Sequence, residues 1–393
     1  MNAAGRMEVV PTPLSYGRVL SADVVAPEDV PPFPTSHMDG FAVGSRSLRG
    51  ASGSSPAVLR IVDAAGPGER PSRSLKKGEA VRVATGARLP PGADTVVPVE
   101  LAKTRGQDLL VGSPQAPGEH VFAAGQDIRR GEEVLHMGNV VRSQDIGTMI
   151  SLGFLKTAVW SKRRVGVMAT GSELTPATRP KSGKVLESHS PIFLSLSQAL
   201  GCVAVDLGIV GDDPALLTAS LRRALSVCDL VVTLGGTSAG KRDYVVDAVS
   251  RLRPQALVHG LKLDRGRVTG IACVRGKPIL MLPGPIQAAT NAFLVLGVPL
   301  IEELSGRASA GLAVPCVLDS GWEARRRFSD FLKVFYVKLE GGARAVARPI
   351  SGETESMKLL AEADGYVVVP EGVSKLAAGD RVSVRFLPGF SMA

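Results

Sequence analysis

The stretch that most constrains this chain runs from Asp229 to Tyr244 and reads D-L-V-V-T-L-G-G-T-S-A-G-K-R-D-Y. An apolar run broken only by Thr233 ends in two glycines, a hydroxyl pair, a third glycine, and then basic residues and an acid. A continuously apolar strand followed by a helix is buried on both faces. That is the pattern of parallel α/β sheets, which bind ligands beyond the carboxyl ends of their strands. The stretch therefore predicts a buried strand feeding a ligand loop.

At 393 residues the chain exceeds one ordinary core, since a domain takes about 150 residues. Around the organising strand, strand and helix alternate. A strand at 165–169 is followed by a helix at about 190–200, a strand from Val203 to Val210 and a helix opened by Asp213-Pro214. A helix at about 243–252, a strand pair at about 256–283 and a helix from Gln287 to Leu304 complete a doubly wound α/β domain, expected at 161–307. Asp213 suits an N-cap and Pro214 the first helical position. Residues 45–126 show short alternating runs between glycine and proline turns, which predicts a small β domain. Residues 1–44 and 127–160 read as an arm or linking domain, in which Gly40 permits a tight turn beside Asp39. From 308 to 393 strands return, with turns at Gly341-Gly342 and Gly379-Asp380, predicting a small antiparallel barrel.

The net charge of +9 favours an anionic partner. Its short clusters, such as Arg222-Arg223 and Arg325-Arg326-Arg327, lack the long tracts and aromatic interleaving of a nucleic-acid binder, and aromatics are only 4%. Four cysteines without a C-x-x-C give no structural zinc site and suit a cytoplasmic protein. The apolar stretch from Ala292 to Ile301 is shorter than the roughly 18 residues a membrane span needs. Residues 1–10 carry Arg6 and Glu8 and do not read as a secretory signal.

Gly236 to Gly240 matches G-x-S-x-G, the nucleophile elbow of α/β hydrolases. The one later histidine, His259, and the acids Asp243 and Asp247 all lie within 21 positions of Ser238, too close to arrive from separate strand ends. An anion cradle is the better reading: glycines admit a ligand to the backbone, while Thr237 and Ser238 add hydroxyls. Thr170-Gly171-Ser172-Glu173 and Leu282-Pro283-Gly284-Pro285 also follow strands, so three loops are expected to meet on one sheet edge. Acids near a phosphate cradle need a hard cation to bridge them, which points to Mg²⁺.

Several motifs stand in a fixed order. They are S-H-M-D-G-F-A-V (36–43), V-A-T-G-A-R-L-P-P-G-A-D-T-V-V (83–97), G-Q-D-I (125–128), T-G-S-E-L (170–174), G-I-V-G-D-D-P (208–214), G-G-T-S-A-G (235–240), L-P-G (282–284), S-G-E-T-E-S-M (351–357) and V-P-E-G (369–372). This set resembles the molybdopterin molybdenumtransferases: bacterial MoeA proteins and the gephyrin and Cnx E domains. The resemblance implies an elongated, multidomain homodimer with a central MogA-like domain and a C-terminal β-barrel. It implies insertion of molybdate, or tungstate, into adenylylated molybdopterin with release of AMP, and a possible MogA-type adenylyltransferase partner. Catalytic roles would fall to Asp39, Thr85, Asp127, Asp212 and Arg267, with Asp39, Thr85 and Asp127 entering from the other subunit's face. Substrate contacts would come from Gly235, Gly236, Thr237, Ser238, Gly240, Pro283, Gly284 and Ser351, and Mg²⁺ from Glu173 and Asp243. Neither nucleic acid nor membrane is an expected partner.

The chain departs from the family pattern at named places. K-P-G-K-P becomes Asp264-Arg265-Gly266-Arg267-Val268, P-G-N-P becomes Pro283-Gly284-Pro285-Ile286, G-E-x-D-Y becomes Gly240-Lys241-Arg242-Asp243-Tyr244, and D-x-N becomes Glu187-Ser188-His189. An acid at 264 opposes an oxyanion by like charge. Arg265, Arg267, Arg275 and Lys277 are candidates to replace the lost lysine. The alternative reading is a paralogue that binds molybdopterin or its nucleotide form as carrier or scaffold.

Overall fold

The structure is a computed structural model. It describes residues 5–389 except 177, 180, 238–242, 309–312, 325–329 and 341–344. The chain divides into two compact units: Ala22–Met137 with Ser143–Leu155, and Met1–Ser21 with Gly138–Arg142 and Lys156–Ala393. Residues 22–44 thus cluster with the small β domain rather than forming a separate arm.

The first unit is built on a six-stranded sheet of β1 (Gly40–Val43), β2 (Ala57–Ala65), β3 (Glu79–Val83), β4 (Thr95–Pro98), β5 (Ala102–Arg105) and β6 (Asp108–Val111), in the order β4-β1-β3-β2-β6-β5. Alternation sends Phe41, Val43 and Val97 into one apolar cluster and Ala42, Val81 and Val96 into the other. The sheet therefore begins at Gly40 rather than at residue 45. Gly40 makes no tight turn. It is a strand residue on which a Cβ would come within 2.2 Å of the Val97 carbonyl oxygen.

In the second unit the α/β domain comprises β7 (Arg164–Thr170), α1 (Ser190–Ala199), β8 (Val203–Val210), α2 (Pro214–Val227), β9 (Leu230–Leu234), α3 (Tyr244–Ser250), β10 (Ala256–His259), β11 (Gly270–Val274), β12 (Lys277–Leu282), α4 (Ile286–Ala292) and α5 (Val298–Ser305). Its sheet order is β8-β7-β9-β12-β11-β10. Every residue of β9 is buried, as its apolar run requires. Val232 and Leu234 face one core with Phe193 and Phe293, and Val231 faces the other with Leu217 and Val249. The four strands β8, β7, β9 and β12 are parallel, whereas β11 and β10 add antiparallel at one edge. The sheet is mixed because β11 and β12 are joined by a two-residue hairpin, Arg275-Gly276, too short for a parallel crossover.

A π-helical turn at Phe293–Gly297 joins α4 to α5, so the helical run extends over Ile286–Ser305. At 20 residues it is long and apolar enough for a membrane span by composition, longer than the stretch read from sequence. Ile286, Ala289, Phe293 and Ile301 are instead packed into the core.

Beyond it β13 (Ala313–Leu318), β14 (Lys333–Glu340), β15 (Val346–Ile350), β16 (Gly365–Val369) and β17 (Arg381–Phe386) close a barrel in the order β13-β15-β14-β16-β17. It is not wholly antiparallel, because β13 and β15 pair parallel. Phe335 and Val337 fill the barrel, while Val334 and Tyr336 on the opposite face join the α/β core. That shared core is why the α/β domain and the barrel form one unit. The expected turn at Gly341-Gly342 lies outside the described residues.

Candidate functional site

β8 lies to one side of β7 and β9 to the other, so connections leaving the sheet there diverge and open a crevice at the carboxyl ends of β7 and β9. The loops after β7, β9 and β12 meet at this crevice. The Thr170 hydroxyl donates to the Leu234 carbonyl at 3.1 Å, and the Gly235 amide donates to the Leu282 carbonyl at 3.0 Å. A Cβ on Gly236 would stand 2.6 Å from Val245 Cγ2 and 2.8 Å from Thr170 Oγ1, and one on Gly284 would touch Gly235 Cα at 3.9 Å. Gly235 and Gly236 have φ of +87° and +66°, in the left-handed region that favours glycine. Their glycines serve loop-to-loop packing as well as any ligand, and the Gly235 amide is spent inside the sheet. Thr237 is buried, its hydroxyl 3.4 Å from the Leu282 carbonyl. Ser238 and Gly240 lie outside the described residues.

The acids of this edge are held in definite roles. Asp212 Oδ2 accepts from the Ser172 amide and Ser172 Oγ accepts from the Asp212 amide, both at 3.0 Å, so Asp212 staples the loops after β7 and β8 together. The carboxylate of Glu173 folds back over Gly171, where a Cβ would meet it at 2.5 Å. Asp213 caps α2 through the Ala215 and Leu216 amides, as the sequence predicts. Asp243 caps α3 through the Val246 amide at 3.4 Å, and its other oxygen lies 3.5 Å from His259 Nε2. Burial raises the Asp243 pKa above the usual carboxylate range, opposed by His259. Carboxylate oxygens such as those of Asp243 and Glu173 are the ligand type a hard divalent cation takes. Among the described residues no group of three or more His, Cys, Asp or Glu is arranged to hold a metal.

Near Gly284, Glu187 caps α1 by accepting from the His189 and Ser190 amides at 2.9 and 2.8 Å. Burial holds the His189 pKa below the ordinary imidazole value, opposed by the Glu187 carboxylate and the Gly284 backbone. Glu187 and His189 occupy the place of the expected D-x-N, at the N-terminus of α1.

A cavity of about 610 Å³ is lined by Asp264, Arg265, Gln287, Trp322, Ser351 and Glu353 among others. Arg265 has φ +48° and its guanidinium donates to Gln287 Oε1 and, at 2.7 Å, to the Gly352 carbonyl. The Arg265 carbonyl accepts from Asn291 Nδ2 at 3.3 Å, and Tyr336 donates to Asn291 Oδ1 at 2.8 Å. Arg265 is therefore a tie between α4 and the barrel, and Asp264 faces the same cavity as Ser351. The Arg267 carbonyl accepts from the Leu261 amide at 2.9 Å. Arg275 lies in the β11–β12 turn and Lys277 begins β12, at the end of the strand away from Pro283 and Gly284, so they do not replace the missing lysine.

In the other unit, Asp39 Oδ1 accepts from the Thr85 amide and hydroxyl at 2.7 and 2.9 Å, which holds its carboxyl below the usual range. Asp127 is exposed and donates its amide to the Val30 carbonyl at 3.1 Å.

Family models match in succession: the MoeA N-terminal region (domain I and II) at 2–153, a probable molybdopterin binding domain at 166–303 and the MoeA C-terminal region (domain IV) at 316–387. Molybdopterin molybdenumtransferase 2 of Mycobacterium tuberculosis is 32% identical over 397 aligned positions, covering 98% of this chain and 96% of that protein. The chain belongs to the MoeA family. A Staphylococcus epidermidis molybdopterin molybdenumtransferase is 28% identical over 94% of this chain and 88% of its own length. The MoeA protein structure from Pyrococcus horikoshii superposes with a TM-score of 0.85 at 30% identity, over 98% of this chain and 95% of that one.

Within this MoeA-family fold, sequence reasoning missed Gln287, Asn291 and Tyr336. Neutral polar residues inside an apolar helix or strand carry no motif, and only the three-dimensional packing pairs them.

Proposed function

We propose that this chain inserts molybdate, or tungstate, into adenylylated molybdopterin and releases AMP. The observation that carries this reading is the three-loop crevice at the sheet's switch point, found in a chain that aligns with a named molybdenumtransferase over 98% of its length. The loops around Gly235, Gly236 and Gly284 would take the nucleotide-pterin, with Ser351 beside the oxyanion in the cavity next to Asp264. Mg²⁺, when bound, neutralises phosphate charge, and Asp243 and Glu173 would hold it. Asp39 and Thr85 would orient substrate from the second copy of a homodimer. A MogA-type adenylyltransferase would deliver the nucleotide in the cytoplasm.

Incubating the purified protein with adenylylated molybdopterin, Mg²⁺ and molybdate should release AMP and yield molybdenum cofactor. No AMP release at micromolar enzyme would refute the reading.

A further inference from the structure

Positive charge gathers in a pocket away from the three-loop crevice. A pocket of about 440 Å³ opens where α2 and α3 end and where the β11–β12 hairpin turns, and its lining includes Arg222, Arg251, Arg253, Arg275 and Lys277 but no acid. Its floor is apolar, formed by buried Leu225 and Val274 and half-buried Leu252. Helix C-termini attract cations, and Lys277 serves that role by donating to the Leu225 and Cys228 carbonyls at 2.7 and 2.9 Å. The guanidiniums of Arg222, Arg251, Arg253 and Arg275 are exposed and have no hydrogen bond or ion pair among the described residues.

Backbone geometry supplies a second, independent observation. Arg253 and Arg275 have φ of +52° and +53°, in a region where a bulky side chain is an outlier. The Arg275-Gly276 turn has positive φ at both residues, the type I′ geometry that ordinarily takes Asn-Gly. Two strained positions that Asn or Gly would fill at lower cost both carry arginine into one pocket. Strain of this kind points to function.

We propose that this pocket is a binding site for a phosphorylated small molecule of nucleotide size. Unpaired guanidinium forks match phosphate oxygens in bidentate fashion, and the apolar floor would take a ring. The volume lies within the range of about 300–1,000 Å³ typical of ligand sites. The site is separate from the crevice: the six-residue strand β12 spans roughly 20 Å between them. The proposal does not rest on the transferase reading.

Hydrogen exchange of the full chain with AMP at low ionic strength should show protection at 219–228 and 250–278. In R253N/R275N, where Asn tolerates the left-handed backbone, AMP affinity at this site should fall by about tenfold or more. R222Q, on a regular helix, should weaken it in the same direction. Unchanged affinity in both variants, protection confined to the loops around Gly235 and Gly284, or protection by poly-glutamate but not AMP would each overturn the proposal.

Discussion

Arg265 and Arg275 both adopt left-handed backbone, at φ +48° and +53°, yet their side chains differ in one respect. Arg265 donates to Gln287 Oε1 and the Gly352 carbonyl, whereas Arg275 has no side-chain partner among the described residues. The same substitution, to asparagine, separates strain from bonding. Relief of strain should contribute up to about 1 kcal/mol at either site. At Arg265 the lost charge-assisted bonds are worth roughly 1.5 kcal/mol each, about 3 in all, for a half-buried group. The net expectation is that R265N destabilises the barrel and its docking by about 2 kcal/mol, a factor of roughly 30 in the folding equilibrium, while R275N is neutral or stabilising. Trp322 lines the Arg265 cavity and stacks on Phe335 at 4.8 Å, so urea titration followed by its fluorescence in a Trp160→Phe background reports the right region. Equal shifts for R265N and R275N would refute the view that Arg265 ties the barrel to α4.

Asp243→Asn keeps a competent cap and removes a desolvated charge. Because the folded pKa is raised, the aspartate's contribution to stability is present at low pH and lost as pH rises through that value. D243N should therefore equal or exceed the parent in stability near neutral pH while losing Mg²⁺-dependent AMP release; a large drop in melting temperature would contradict this. Gly236→Ala should cost about 1–3 kcal/mol and lower AMP release, given its contact with Val245 and its positive φ; calorimetry showing no destabilisation would dispose of the packing account. His189 has a lowered pKa, so its stabilising contribution is complete above the unfolded value of about 6.5 and is lost as pH falls through the lowered folded value. Denaturation midpoints of H189Q and the parent should converge or cross on going from neutral to acid pH, and parallel curves would rule this out.

Periodicity and loop composition made much of this architecture legible. The apolar run ending in Gly235-Gly236 had to be a buried strand, and Asp213-Pro214 had to open a helix, because both choices are local. The roles of particular groups were less legible. Asp212 looks like one acid among several until its exchange of hydrogen bonds with Ser172 is seen, and the Gly235 amide looks free until Leu282 is placed beside it. Arg265, from a segment that reads as a damaged oxyanion site, is committed to Gln287 and Gly352, residues distant in sequence.

The sequence alone determined that Leu230–Leu234 is a central strand ending in a glycine turn, because an unbroken apolar run, glycine placement and capping act within a few residues. Only the tertiary structure decided which face of β14 fills the barrel, which amides the cradle keeps, and where Arg222, Arg253 and Arg275 converge. Those outcomes depend on packing between segments far apart in the chain, where burial and desolvation are set by neighbours that no local pattern names.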